Sequence, residues 1–246
     1  MRKYYTRPCN FYYGNFATNL IKKKKALPLA SNFKIAFDKL EIFERKKNKI
    51  VKSNIHSIKD IKTFPKKKKL FIKSDLKNIT SKRENICGIE FNKANIIGIL
   101  NITPDSFSDG GLFLNKKKAY NQAKTMVSDG AVIIDVGGES TRPGSKIINY
   151  KKEWNRIKDT IIKLRKKFSN LPISLDTRKS YIMKKGLENG VNIINDVSGL
   201  NYDQESFKII KSKNTPFILH HMQGIPDTMQ KNPKYDDVLL DIYDFF

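Results

Sequence analysis

Two polar loops and three further strand ends carry the residues of this chain best suited to chemistry. A short apolar run, IIGILN at 96–101, opens into TPDSFSDGG, and about thirty residues later AVIIDV at 131–136 opens into GGESTRPGS. Both loops are rich in Gly, Pro, Ser, Thr and Asp, so many backbone N–H groups and hydroxyls stay free to bind an anion. Arg142 among the glycine N–H groups suits a phosphate, because a guanidinium meets phosphate oxygens with a fork of donors. Two later runs end in SLDT and IIND, with Asp176 and Asn195, and a fifth ends in LHHMQG, with His220 and His221. Asp176 and Asn195 together offer acceptors and a donor to a flat nitrogen heterocycle. Taken singly, each residue has an ordinary role. An Asn at a strand end forms turns, DGG at 109–111 is a turn, an Asp before a helix is a cap, and a lone Arg is a surface charge. Five successive strand ends carrying polar residues is the coincidence that points to a site.

The elements that must position these residues follow a rhythm. Apolar strand-like runs fall at 96–101, 131–136, 172–176, 191–195 and 216–220. Helix-like stretches fall between them at about 116–129, 151–168, 179–189 and 203–213, and another begins near 235. Strands alternating with helices predict βαβ units and a parallel sheet, and runs apolar on both faces fit a sheet covered on both sides. The fold class is therefore α/β: a partial (β/α)8 TIM barrel of about five βα units from residue 95, preceded by a basic N-terminal region of uncertain fold. A complete barrel needs about 250 residues, and its site sits at the C-terminal ends of the strands. The last residues, with Val238, Leu239, Ile242 and Phe245 in amphipathic spacing and no stop signal, read as the start of the fifth helix. A five-stranded open sheet is the alternative. It lacks a Gly-rich dinucleotide fingerprint, and neither loop resembles a Walker phosphate loop.

Charge divides the chain near Glu90. Residues 1–90 carry 24 Lys and Arg against 7 acids, whereas residues 91–246 carry 24 against 17. Two domains are expected: a basic extension over 1–90 and a barrel portion over 91–246. In the extension, YYTRPCNFYYGNFATNLI is aromatic and partly helical in pattern, Phe33, Ile35 and Phe37 alternate as in a strand, and PKKKK at 65–69 reads as solvated loop or edge. Its aromatics argue against full disorder, so a small accessory layer is expected there. Nucleic acid is not expected as a partner, since no binding module accompanies the lysines. No run approaches the ~18 apolar residues of a membrane span. Cys9 and Cys87 form no metal-spaced pair or disulfide framework. With no secretory leader pattern, this favours the cytoplasm.

Five stretches from Asn95 onward, IIGILNITPDSFSDGG, GAVIIDVGGESTRPGS, PISLDTRKS, GVNIINDVSGL and LHHMQGIPDTMQ, resemble the dihydropteroate synthase family of pterin-binding barrels. The resemblance covers about 150 residues and leaves the first ninety outside it. It implies a folate-pathway transferase that condenses 6-hydroxymethyl-7,8-dihydropterin diphosphate with p-aminobenzoate, giving dihydropteroate and diphosphate. It also implies a role for each matching residue. Asn101 would give a carbonyl ligand to Mg2+, Thr141 and Arg142 would hold the diphosphate, Asp176 and Asn195 would bind the pterin, and Phe107 and Pro143 would wall the p-aminobenzoate pocket. Asp176 would also act in catalysis, as an anion beside the cationic methylene. A complete version would admit a homodimer.

The departures are specific. The family's later site residues, a second pterin-binding Asp, a Lys and an Arg-x-His, have no counterpart in the chain. His220 stands where the family pattern has a Met. Two other readings follow. One is an inactive remnant or partner-binding fragment. The other is a methyltetrahydrofolate-dependent methyltransferase, against which the two anion loops count.

Overall fold

The computed structural model describes residues 3–45, 51–103, 112–140, 147–225 and 228–246, with backbone alone at 112–115. The chain divides into two compact units, Met1–Glu84 with Lys234–Phe246, and Asn85–Pro233.

In the first unit the aromatic opening forms β1 (Tyr4–Tyr13), followed by α1 (Gly14–Lys22) and the short β2 (Leu27–Leu29). The alternating stretch around Phe33–Phe37 begins a 14-residue strand, β3 (Asn32–Arg45). β1 pairs antiparallel along one edge of β3, and β2 and then β4 (Val51–Ser57) pair along the other. A 3-10 turn at Ile58–Thr63 opens with a capping box between Ser57 and Asp60. Then comes α2 (Lys66–Thr80). The lysines expected in a solvated loop or edge at 65–69 thus lie in a helix, apart from Pro65 just before it. Lysine is a good helix former, and Ile72, Leu76 and Ile79 recur at helical spacing behind the charge run. These three pack with Phe37, Leu40 and Ile42 of β3 in one apolar cluster.

The second unit holds β5 (Ile96–Asn101), α3 (Leu112–Ser128), β6 (Ala131–Gly137), α4 (Tyr150–Lys167), β7 (Ile173–Asp176), α5 (Ser180–Glu188), β8 (Ile193–Asp196), α6 (Ser206–Ser212) and β9 (Phe217–Leu219). The five strands are parallel and lie in sequence order, β5-β6-β7-β8-β9. An order without reversal belongs to a barrel, whereas a doubly wound sheet reverses at its switch point. Among the described residues the barrel does not close. One face of the sheet is the core: Leu100, Ile134, Val136, Ile173, Leu175 and Ile194 pack against Ala119 and Ala123 of α3, Ile157, Ile161 and Leu164 of α4, Ile182 and Met183 of α5 and Ile210 of α6. Each large apolar side chain among them contributes about 1.5–3 kcal/mol by leaving water. Alternation along the strands turns Ile99, Asn101, Asp135, Gly137, Ser174, Asp176 and Asn195 to the opposite face.

The last helix, α7 (Val238–Phe245), is capped by the Asp237 side chain, which accepts from Leu240 N at 3.0 Å. It belongs to the first unit. Leu240 packs with Tyr5 and Phe43, Tyr5 Oη donates to the Asp244 carboxylate at 2.8 Å, and Arg45 pairs with Asp241 at 2.7 Å and Asp244 at 3.3 Å. No helix among the described residues is long and apolar enough to cross a membrane.

Candidate active site

Strand register assembles the site. Asn101 is the Cα partner of Gly137, Gly137 of Asp176, Asp176 of Asn195, and Asn195 of Ile218. One rung therefore crosses all five strands at their C-terminal ends and brings together three of the sequence candidates, Asn101, Asp176 and Asn195. Gly137 lets the first two approach. A Cβ there would lie 3.0 Å from Asn101 Oδ1 and 3.3 Å from Asp176 Oδ2. The next glycine serves packing, because a Cβ on Gly138 would stand 2.8 Å from Ile157 Cγ2 of α4. Phe107, Thr141, Arg142 and Pro143 lie outside the described residues.

Asp176 is the most perturbed group of the rung. Burial pushes its carboxyl up to about 7, and Asp135, Glu153, Asp196 and Glu139 add like-charge repulsion. It does not cap the following helix: Lys179 holds the N-cap position of α5, and the Ser180 N–H donates to Asp203 instead. Neighbouring Asp196 is structural. Its carboxylate accepts from Ser198 N and Oγ and from Leu200 N, and so shapes the turn after β8. Asn195 Nδ2 donates to Asp135 Oδ2 at 3.0 Å, and Asn195 Oδ1 lies 2.6 Å from His220 Nε2. His220 thereby joins the site.

Two features have no role assigned by the sequence. Asp135 is buried within β6, and its second oxygen, Oδ1, has no hydrogen-bond partner among the described residues. A carboxylate inside the run AVIIDV was the available signal, since buried acids need a reason. The second feature is a buried ion network beneath the strand ends. Lys179 Nζ donates to Glu139 Oε1 at 2.8 Å and to Glu153 Oε2 at 2.6 Å, Arg178 Nε donates to Glu139 Oε2 at 3.1 Å, and Thr177 Oγ1 donates to Glu153 Oε1 at 2.6 Å. Burial alone would raise the Glu139 carboxyl, but Lys179, the Ile148 N–H and Arg178 outweigh it and hold the group below the usual carboxylate range. The network ties the end of β6 and the start of α4 to the turn after β7, and so fixes the height at which Asp176 stands.

Among the described residues no group of three or more His, Cys, Asp and Glu could hold a metal ion. Asn101 is an exposed residue at the edge of the rung, and its amide oxygen is a neutral oxygen donor.

The arrangement of five strands, polar rung and buried acid has known counterparts. The family model described as pterin binding enzyme matches residues 97–246. The chain belongs to that family. Dihydropteroate synthase of Neisseria meningitidis serogroup B is 44% identical over 153 residues, which cover 61% of this chain and 53% of that protein. The Synechocystis enzyme of the same name is 42% identical over 151 residues, covering 61% and 52%. A crystal structure of dihydropteroate synthase from Clostridium difficile in the presence of pteroic acid superposes with a TM-score of 0.58 and 41% identity, over 63% of this chain and 56% of that one. The chain spans about half the length of the curated relatives it matches, and the resemblance read from the five motifs agrees with all three.

Proposed function

We propose that this pterin-binding chain carries the dihydropteroate synthase site: it binds 6-hydroxymethyl-7,8-dihydropterin diphosphate and p-aminobenzoate and serves formation of dihydropteroate and diphosphate. The observation that supports this most is the rung Asn101–Gly137–Asp176–Asn195, with an acid held at about 7 in its middle. Asp176 and Asn195 bind the pterin. Thr141 and Arg142 hold the diphosphate, and Phe107 and Pro143 wall the p-aminobenzoate.

The residue types fit the chemistry. The carbon–oxygen bond to diphosphate breaks, the leaving group takes the electron pair, and Arg142 neutralises the growing charge. The exocyclic methylene becomes cationic, and ionised Asp176 stabilises it. The arylamine nitrogen then forms the new carbon–nitrogen bond and releases a proton to solvent. No covalent protein nucleophile is required. The neutral amide oxygen of Asn101 suits a hard cation that keeps most of its waters, as Mg2+ does. When bound, that ion would supply further charge neutralisation at the diphosphate. The same reading takes the chain as cytoplasmic and without nucleic-acid partners, and the complete enzyme as a homodimer.

The test is product formation. The full chain, incubated with both substrates and Mg2+, is expected to release dihydropteroate, and Asp176→Asn is expected to abolish most of that release. Turnover equal in the variant and the parent would remove Asp176 from the mechanism, and no product from the parent would overturn the proposed activity.

A further inference from the structure

The hydrogen bonds of Asn195 can be read in one direction only. Asp135 Oδ2 accepts from Asn195 Nδ2 at 3.0 Å. A carboxylate oxygen does not donate, so the amide nitrogen must face Asp135 and the amide oxygen must face away. That oxygen lies 2.6 Å from His220 Nε2. An amide oxygen also only accepts, so His220 must carry its proton on Nε2. Donor and acceptor thus alternate along His220, Asn195 and Asp135. Two buried polar atoms beside this row lack partners among the described residues: Asp135 Oδ1 and Ser174 Oγ. They belong to Cα partners on β6 and β7 and share the face that carries Asp176.

We infer that Asp135 and His220 are positioning residues that lock the Asn195 amide in one orientation, so that the strand ends present an ordered row of donors and acceptors to the cyclic amide edge of a bound heterocycle. The inference rests on the pterin reading for the identity of that heterocycle. With its orientation fixed, Asn195 has one N–H and one oxygen lone pair left to offer. The family pattern has Met at the position of His220. A thioether cannot donate, so an amide beside it would be fixed only from the Asp135 end. In this chain it is fixed from both ends.

Histidine nitrogen spectroscopy on the intact 246-residue chain tests the lock. Only three histidines are present, His56, His220 and His221, and His220→Met identifies the signal by its loss. The expected result is an imidazole with its proton on Nε2 at His220 that becomes a mixture of Nε2–H and Nδ1–H forms in Asp135→Asn, where an amide can either donate or accept. A predominant Nδ1–H tautomer at His220 in the parent chain overturns the inference without need of any variant, as does a tautomer unmoved by Asp135→Asn. Fluorescence titration with unreactive 6-hydroxymethylpterin gives the functional arm. His220→Met is expected to weaken binding about tenfold, the worth of one good hydrogen bond, and His220→Gln, which restores an N–H donor, is expected to recover it. Equal affinity of the Met variant and the parent overturns the inference. A parent chain that binds no pterin overturns the pterin reading instead, and the tautomer still decides the lock.

Discussion

Two groups of acids, all buried except the half-buried Asp176, lie at the same end of the parallel sheet and have opposite chemistry. Glu139 and Glu153 sit among Lys179, Arg178 and Thr177, with every carboxylate oxygen accepting a hydrogen bond. Asp176 and Asp135 stand on the facing side of the strands with no cation bonded to either among the described residues, and burial with mutual repulsion pushes Asp176 up to about 7. The first group is balanced within the protein. The second leaves its demand unmet, and a buried demand of that kind is what a cationic or N–H-rich ligand satisfies. The difference separates scaffold from site more sharply than burial does, since both groups are largely buried.

The largest effect should come from breaking the balanced group. Lys179→Met leaves two buried carboxylates without their shared cation, and a loss of about 3–5 kcal/mol in unfolding free energy is expected. Denaturant unfolding measures it. A loss below about 1 kcal/mol, the worth of an exposed pair, would mean the network is solvated and the contrast is false.

Asp176→Asn should act with the opposite sign on stability. The folded-state value of about 7 lies above the ~3.9 of an unfolded aspartate. The fold therefore favours the protonated form. That advantage is fully present below about pH 4 and is lost as pH rises through about 7. Above that pH the ionised group is a burden of at most about 4 kcal/mol, because each tenfold change in proton affinity is worth roughly 1.4 kcal/mol. The asparagine variant should thus melt higher than the parent at pH 8. Glu139 runs the other way. Its carboxyl is held low, so its contribution is present above the ordinary range of about 4.3 and is lost as pH falls through the lowered value. Melting curves from pH 3 to 9 on the parent, Asp176→Asn and Glu139→Gln resolve the two windows. Parallel pH profiles for the two variants would erase the distinction.

The smallest expected effect sharpens the site itself. Gly137→Ala places a methyl 3.0 Å from Asn101 Oδ1 and 3.3 Å from Asp176 Oδ2. Both neighbours are side chains that can yield by a few tenths of an ångström. Stability is expected to fall by about 1 kcal/mol, the lower end of what overpacking costs, whereas pterin affinity drops measurably. Unchanged affinity would show that the Asn101 to Asp176 spacing is not part of the site.

Much of the second unit is legible in the sequence. Its strand runs and helical stretches are expected within a few residues of where they lie, because continuous apolar runs in a covered parallel sheet and amphipathic helices have distinct periods. Asn101, Asp176 and Asn195 are marked by their strand-end positions, and the register aligns them on one rung. Asp135, Glu139, Glu153, Arg178 and Lys179 receive no role from the sequence. Bonds between their side chains span 24 to 60 residues along the chain, and only the sheet order brings them together. The Lys66–Lys69 run hides a helix because its charge masks the helical spacing of Ile72, Leu76 and Ile79. The packing of the last helix with Tyr5, Arg45 and Phe43 has no local signal, as it depends on residues about 200 positions away.

Pterin binding as a function of pH tests the central claim most directly, that Asp176 is an unbalanced acid awaiting a ligand. Free 6-hydroxymethylpterin titrated into the parent chain from pH 5 to 9 should bind more tightly as Asp176 ionises, levelling off above about 7, and binding by Asp176→Asn should be weak and flat. Equal affinity in the two proteins at every pH would contradict the account.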